Sequence, residues 1–144
     1  MKELNLKKTI ELLNSSMEFE LSGVVRYTHY SLMVTGPNRI PIVTFFQVQA
    51  TDSLNSAQQI GEIITGLEGH PSLRISNMEE SYTHSVRTII EESINHEKNG
   101  LEEYRNLLDL VRNSSIYLEK FTRKMVASSE INIIELRKML RDMT

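Results

Sequence analysis

The chain contains no cysteine. That one absence excludes disulfides, thiolate metal sites and cysteine nucleophiles, and it fits a reducing compartment. Long apolar runs are missing too: none approaches the ~18 residues that a membrane span needs. The opening stretch, Met1-Lys2-Glu3-Leu4-Asn5, has no apolar segment of the kind a secretory signal carries, so a cytoplasmic location is expected. Neither sign of charge dominates. With 16 basic and 19 acidic residues the net charge is −3, which offers no footprint for nucleic acid or a membrane surface. Glycine and proline are scarce, at six and three residues. They form no phosphate loop or nucleotide fingerprint, and no nucleophile triad stands out.

What glycine and proline there is falls in clusters. Gly36-Pro37-Asn38 and Gly69-His70-Pro71 are breaks, and Asn113-Ser114-Ser115 is a weaker third. Between them run long segments rich in Glu, Leu, Lys, Ile and Met. The pattern predicts four helices, at about 5–34, 39–68, 78–112 and 115–142. Pro41 then sits in the first turn of the second helix, where it is tolerated. Asn77-x-x-Glu80 reads as a capping box for the third, and Ser115 as the cap of the fourth. The 144 residues suffice for one domain, 1–144, burying roughly 68–70% of its unfolded surface. The fold class is all-α. Short first and third connections make antiparallel helix pairs. The longer middle one, about residues 69–77, has the reach of a crossover when its ends unwind, and a direct antiparallel return is the alternative.

Inward positions recur in steps of three and four. The first helix gives Leu6, Ile10, Leu13, Met17, Glu20, Val24 and Tyr27. The second gives Ile42, Phe46, Gln49, Ser53, Ser56, Ile60, Ile63 and Leu67. The third gives Val86, Ile90, Ile94, Glu97, Leu101, Tyr104, Leu108 and Val111. The fourth gives Leu118, Phe121, Met125, Ser129, Asn132, Leu136 and Met139. Each stripe is apolar at its ends and polar near its middle. Glu20 and Ser53 are 33 positions apart, and Glu97 and Ser129 are 32, so the two halves behave as a pseudo-repeat sharing one polar layer.

The wording around that layer resembles the bacterioferritin group of the ferritin superfamily. The resemblance is carried by Glu20-Leu21-Ser22-Gly23-Val24-Val25-Arg26-Tyr27, Gly61-Glu62-Ile63-Ile64-Thr65, Gly69-His70-Pro71-Ser72-Leu73 and His96-Glu97-Lys98, and it spans about residues 6–142. It implies a ferritin-like four-helix bundle with one long crossover between the second and third helices. Members of the group build a dinuclear iron site from two single glutamates and two Glu-x-x-His pairs. Carried over, the single glutamates fall on Glu20 and Glu97, which are retained. The first pair falls on Ser53 and Ser56, the second on Ser129 and Asn132, and all four of these ligands are replaced. Serine and asparagine are weak iron ligands beside carboxylate and imidazole. Glu20 and Glu97 read first as a buried hydrogen-bonded pair sharing a proton, and one weakly held iron between them is the most the resemblance implies. No catalytic residue is assigned. Leu54 stands where the group's haem-ligating methionine falls, which argues against haem. The sequence ends at Thr144 without the short fifth helix of many bacterioferritins, so a standard 24-subunit shell is not implied.

The resemblance therefore implies an iron-storage or iron-handling subunit without a complete ferroxidase centre, acting alone or beside an intact paralogue in a mixed shell. The alternative is a non-catalytic structural protein that keeps the bundle only as an oligomerisation module. An oxygen-activating enzyme of the wider dinuclear class is disfavoured by the missing pairs. The first and second helices also carry a second apolar row: Leu12, Phe19, Gly23 and Tyr30 on one, and Ala50, Leu54, Ala57 and Gly61 with Phe45 and Val48 on the other. Such rows usually meet a partner, and a homo-oligomer, at least a dimer through these helices, is expected, with a hydrophobic neighbour from another protein as the competing reading. Tyr27 and Tyr104 read as core tyrosines with bonded hydroxyls. His29 reads as a surface or interface residue, His70 as a structural loop residue, and His84 has no evident partner. His96 adjoins Glu97 but points about 100° away around the helix, which makes it a poor co-ligand.

Overall fold

Helix formation begins where the sequence offers a cap. In a computed structural model describing residues 2–143, Asn5, Ser85 and Ser115 each accept a hydrogen bond from the backbone N–H three residues on. Each satisfies one of the orphan donors at a helix start. The helices are α1 (Leu6–Met33), α2 (Arg39–Gly66), α3 (Val86–Val111) and α4 (Ile116–Leu140). None is long and apolar enough to cross a membrane.

Three of the four follow the expected bounds closely. The third starts eight residues later than expected, at Val86 rather than about residue 78, and its cap is Ser85. The Asn77-x-x-Glu80 signal is not used. The reason lies in the path. α1 packs antiparallel to α3, since Ser15 bonds Glu103 while Tyr30 bonds Glu92. α1 also packs antiparallel to α2 across a short turn, so α2 and α3 run parallel and the chain between them must travel the bundle's length. Residues 67–85 do this. They follow α1 upward: Asn14 holds His70 O and the Ser72 N–H, Glu18 O accepts from Ser76 N, and His29 meets Glu80. From the level of Asn14 to that of His29 is about 22 Å along a helix at 1.5 Å per residue. Winding residues 78–85 into helix would leave the segment short.

α2 ends earlier than expected, in a Schellman turn. Gly69 N donates to Ile64 O and Glu68 N to Thr65 O, with Glu68 at φ 64 in the left-handed slot usually filled by glycine.

The inward stripes are buried or half-buried throughout, except that Leu6 is exposed. One cluster gathers Leu13, Ile60, Ile64, Leu107 and Val111. Another, at the opposite end of α1, gathers Tyr27, Tyr30, Val34, Phe46 and Ile89. The second apolar row expected on α1 is not free for a partner. Phe19, Gly23 and Tyr30 are buried in the chain itself and Leu12 is half-buried. Phe19 stacks on His96 of α3, and the Tyr30 hydroxyl bonds Glu92. On α2, Ala57 is buried too, whereas Val48 and Leu54 remain exposed.

Candidate metal centre

Between the two apolar clusters the bundle interior turns polar. Glu20 of α1, Ser53 and Ser56 of α2, Glu97 of α3, and Ser129 and Asn132 of α4 line one cavity of about 270 Å³. All six residues picked from the sequence are thus brought together. The three-four spacing aims one residue, or an i, i+3 pair, of each helix at the same level. Gly23 lets α1 and α2 approach there: a Cβ on it would lie 2.8 Å from Ser53 Oγ.

The two glutamates are buried, and they differ in their partners. Glu97 Oε1 accepts from the Tyr27 hydroxyl at 2.9 Å and from Asn132 Nδ2 at 3.1 Å. Burial still pushes its pKa up to about 7, against the pull of those two donors. Glu20 is pushed further, to about 8, first by burial and then by the negative charge of Glu97. The hydroxyls of Tyr104 and Ser56 ease its ionisation. Tyr104 Oη nevertheless makes no hydrogen bond of regular geometry, so it corrects the expectation of a fully bonded core tyrosine. Both tyrosine hydroxyls are held well above their usual pKa by burial and by the neighbouring glutamates, which keeps them as neutral donors.

Sequence reading missed the mouth of the cavity. Asp52, Asn55, Gln59, Lys124 and Ser128 also line it. They sit one position off the inward stripe or one turn along it, and only the presence of five polar side chains flanking Ser53, Ser56 and Ser129 signalled them. His96 stays apart, as its angle around α3 implies. It is buried against Phe19, with ring centroids 4.3 Å apart, and edge-on to Tyr27 at 5.4 Å. Leu54 is exposed on α2. One expectation about histidines fails. His84 does have partners: its Nε2 lies 3.3 Å from Nε2 of His29 and 3.8 Å from Glu80 Oε1.

The donor set decides what the cavity can hold. Its lining offers Glu20, Glu97 and, at the mouth, Asp52 and the cation Lys124; no histidine is among the lining residues. Two divalent ions there would leave about two uncompensated positive charges in a poorly solvated space, which is costly. A dinuclear iron site does not fit these residues. A single cation between Glu20 and Glu97 is balanced in charge, and without one the raised pKa values let the pair retain protons near neutrality.

The fold and layer can be set beside known proteins. A profile described as a ferritin-like domain matches residues 10–144. No curated protein matches. Among solved structures, a ferritin-like diiron-carboxylate protein from Bacillus anthracis superposes with a TM-score of 0.89 at 24% identity, covering 98% of this chain and 100% of that one. A dodecameric thioferritin, the bacterioferritin-related protein of Bacteroides fragilis, gives 0.91 at 20% identity, covering 97% and 88%. The bacterioferritin of Desulfovibrio desulfuricans, which holds a diiron site, gives 0.86 at 18% identity, covering 94% and 79%.

Proposed function

Since the chain belongs to the ferritin-like family, we propose that it is a bacterioferritin-like iron-handling subunit that lacks a complete ferroxidase centre of its own. The observation that carries this reading is the makeup of the central cavity. Glu20 and Glu97 remain where two single glutamate ligands are expected, and hydroxyls and an amide occupy the four slots where carboxylate and imidazole belong. Iron is the cargo here, and oxidation falls to mineral growth or to a paralogue with intact ligands in a mixed shell. Self-assembly is part of the proposal. Val25, Leu32, Val48 and Leu54 stay exposed on α1 and α2, an apolar surface suited to a second copy. A cytoplasmic location is also part of it, supported by the lack of cysteine.

Anaerobic loading with Fe(II) followed by oxygen tests the reading. The purified chain should show no fast oxidation phase. A rapid phase consuming about two iron ions per chain, the stoichiometry of a dinuclear site, sinks the incomplete-centre claim. Light scattering after size exclusion separates storage from the alternative. A closed shell that takes up iron supports storage. A plain dimer without iron uptake supports a purely structural module, a reading favoured by one detail: Glu97 is already bonded by Tyr27 and Asn132 of its own chain.

A further inference from the structure

Three potential ligands meet far from the central cavity, between α1 and the crossover. His29 Nε2 and His84 Nε2 are 3.3 Å apart. Glu80 Oε1 lies 3.4 Å from the first and 3.8 Å from the second. All three are partly exposed, with His84 the least so. His29 comes from α1, and the chain brings Glu80 and His84 to it from the non-helical crossover. Tyr82, between Glu80 and His84, takes a left-handed backbone at φ 58, uncommon for a bulky side chain, and the kink helps bring both neighbours to the same imidazole.

The spacing matches metal coordination. Ligand atoms bonded at about 2.0–2.1 Å to a tetrahedral ion stand ~3.3–3.4 Å from one another. The circle through three atoms separated by 3.3, 3.4 and 3.8 Å has a radius of about 2.0 Å, so one point is at bonding distance from all three. Two imidazoles and a carboxylate are the donor set that first-row transition metals such as zinc accept. The surroundings agree in charge. The adjoining cavity of about 260 Å³ is lined by Glu79, Glu80 and Glu92 against the single cation Arg26, and it has room for a water or an outside ligand at the fourth position.

We infer that His29, Glu80 and His84 bind one divalent transition-metal ion with zinc-like coordination, separate from the cavity of Glu20 and Glu97. The ion ties the last third of the crossover to α1, with one coordination position left open. The inference does not depend on the iron chemistry proposed above.

Cobalt(II) titration of the full chain, followed by visible absorption and displacement with zinc, tests it. The E20Q/E97Q variant removes the carboxylates of the central cavity, so that cobalt bound there cannot be mistaken for this site. The expected result is one cobalt per chain in E20Q/E97Q, with the visible bands of a tetrahedral or five-coordinate ion that the wild type also shows. His84→Asn should weaken binding at least about tenfold, since even losing a supporting partner of a ligand costs about 10–100-fold. His29→Asn, on a different element, is the second variant and should do the same, with helicity unchanged by circular dichroism. No cobalt binding in E20Q/E97Q, or binding that neither histidine substitution weakens, overturns the site and leaves the three residues as a hydrogen-bonded cluster.

Discussion

The imidazole of His96 lies nearly flat on the ring of Phe19, with centroids 4.3 Å apart and planes 16° from parallel. The next residue, Glu97, turns the other way into the polar cavity. Burial, with some help from Arg26, lowers the His96 pKa to about 3. The ring is therefore neutral in the fold and becomes charged readily only when unfolded. Between pH about 6.5 and about 3 the unfolded chain binds one more proton at this site, so the site's contribution is lost as pH falls through that window. The His96 ring signals in NMR should not move between pH 8 and pH 5. A midpoint near 6.5 rules out the buried neutral ring.

The same stack depends on the absence of a side chain at Gly100. A Cβ there would overlap the Phe19 ring. Aromatic rings held between helices yield little room, and overpacking of this kind costs about 1–3 kcal/mol. Gly100→Ala should lower stability by about that amount in urea unfolding, although alanine favours helix more than glycine does. A gain in stability would show that Phe19 is free to move away.

The glutamate pair gives the opposite pH dependence. Folding raises both pKa values, Glu97 to about 7 and Glu20 to about 8. The folded chain thus holds protons that the unfolded chain releases above pH about 4.5, and stability falls as pH rises from there to about 8. Glu20→Gln keeps the shape and removes the charge. It should stabilise the protein at pH 8, on the order of a few kcal/mol, and change little at pH 4.5. Denaturant unfolding at the two pH values checks this in the absence of metal. Equal effects at both would mean that Glu20 ionises freely.

The polar layer was legible in the sequence because helical spacing is rigid: once Glu20 interrupts an apolar stripe, the residues level with it follow from the three-four steps. The crossover was not. Asn77-x-x-Glu80 looks like a helix start locally, and the length to be spanned between parallel α2 and α3 moves the start to Ser85. The second buried face of α1 escaped for a related reason. Phe19 and Tyr30 look like partner-seeking residues until the crossover and α3 are seen to cover them. The meeting of His29 with Glu80 and His84 depends on that same irregular path, so no periodicity announces it.

The end of α2 offers a stabilising change. Glu68 occupies the left-handed position of the Schellman turn at φ 64, and its side chain is exposed. Glycine adopts this backbone without the steric cost, which for other residues is roughly 1–2 kcal/mol. Glu68→Gly should raise stability by about 0.5–1 kcal/mol after the flexibility that glycine adds to the unfolded chain is counted. A lower melting temperature would contradict the turn.

Installing the full dinuclear ligand set at the proposed slots tests the functional reading most directly. The substitutions S53E, S56H, S129E and N132H place two carboxylates and two imidazoles on α2 and α4, facing Glu20 and Glu97 across the same cavity. Four carboxylates then balance two divalent ions, removing the charge penalty that argues against a dinuclear site in the present chain. The cavity of about 270 Å³ gives the longer side chains space. The quadruple variant should bind about two Fe(II) per chain and oxidise them in a fast phase absent from the wild type, as two Glu-x-x-His pairs joined to two glutamates form the dinuclear carboxylate set. Stopped-flow absorbance after mixing with oxygen reads the rate, and circular dichroism confirms the helices. If the folded variant oxidises iron no faster than the wild type, the proposed ligand slots at these four positions are wrong.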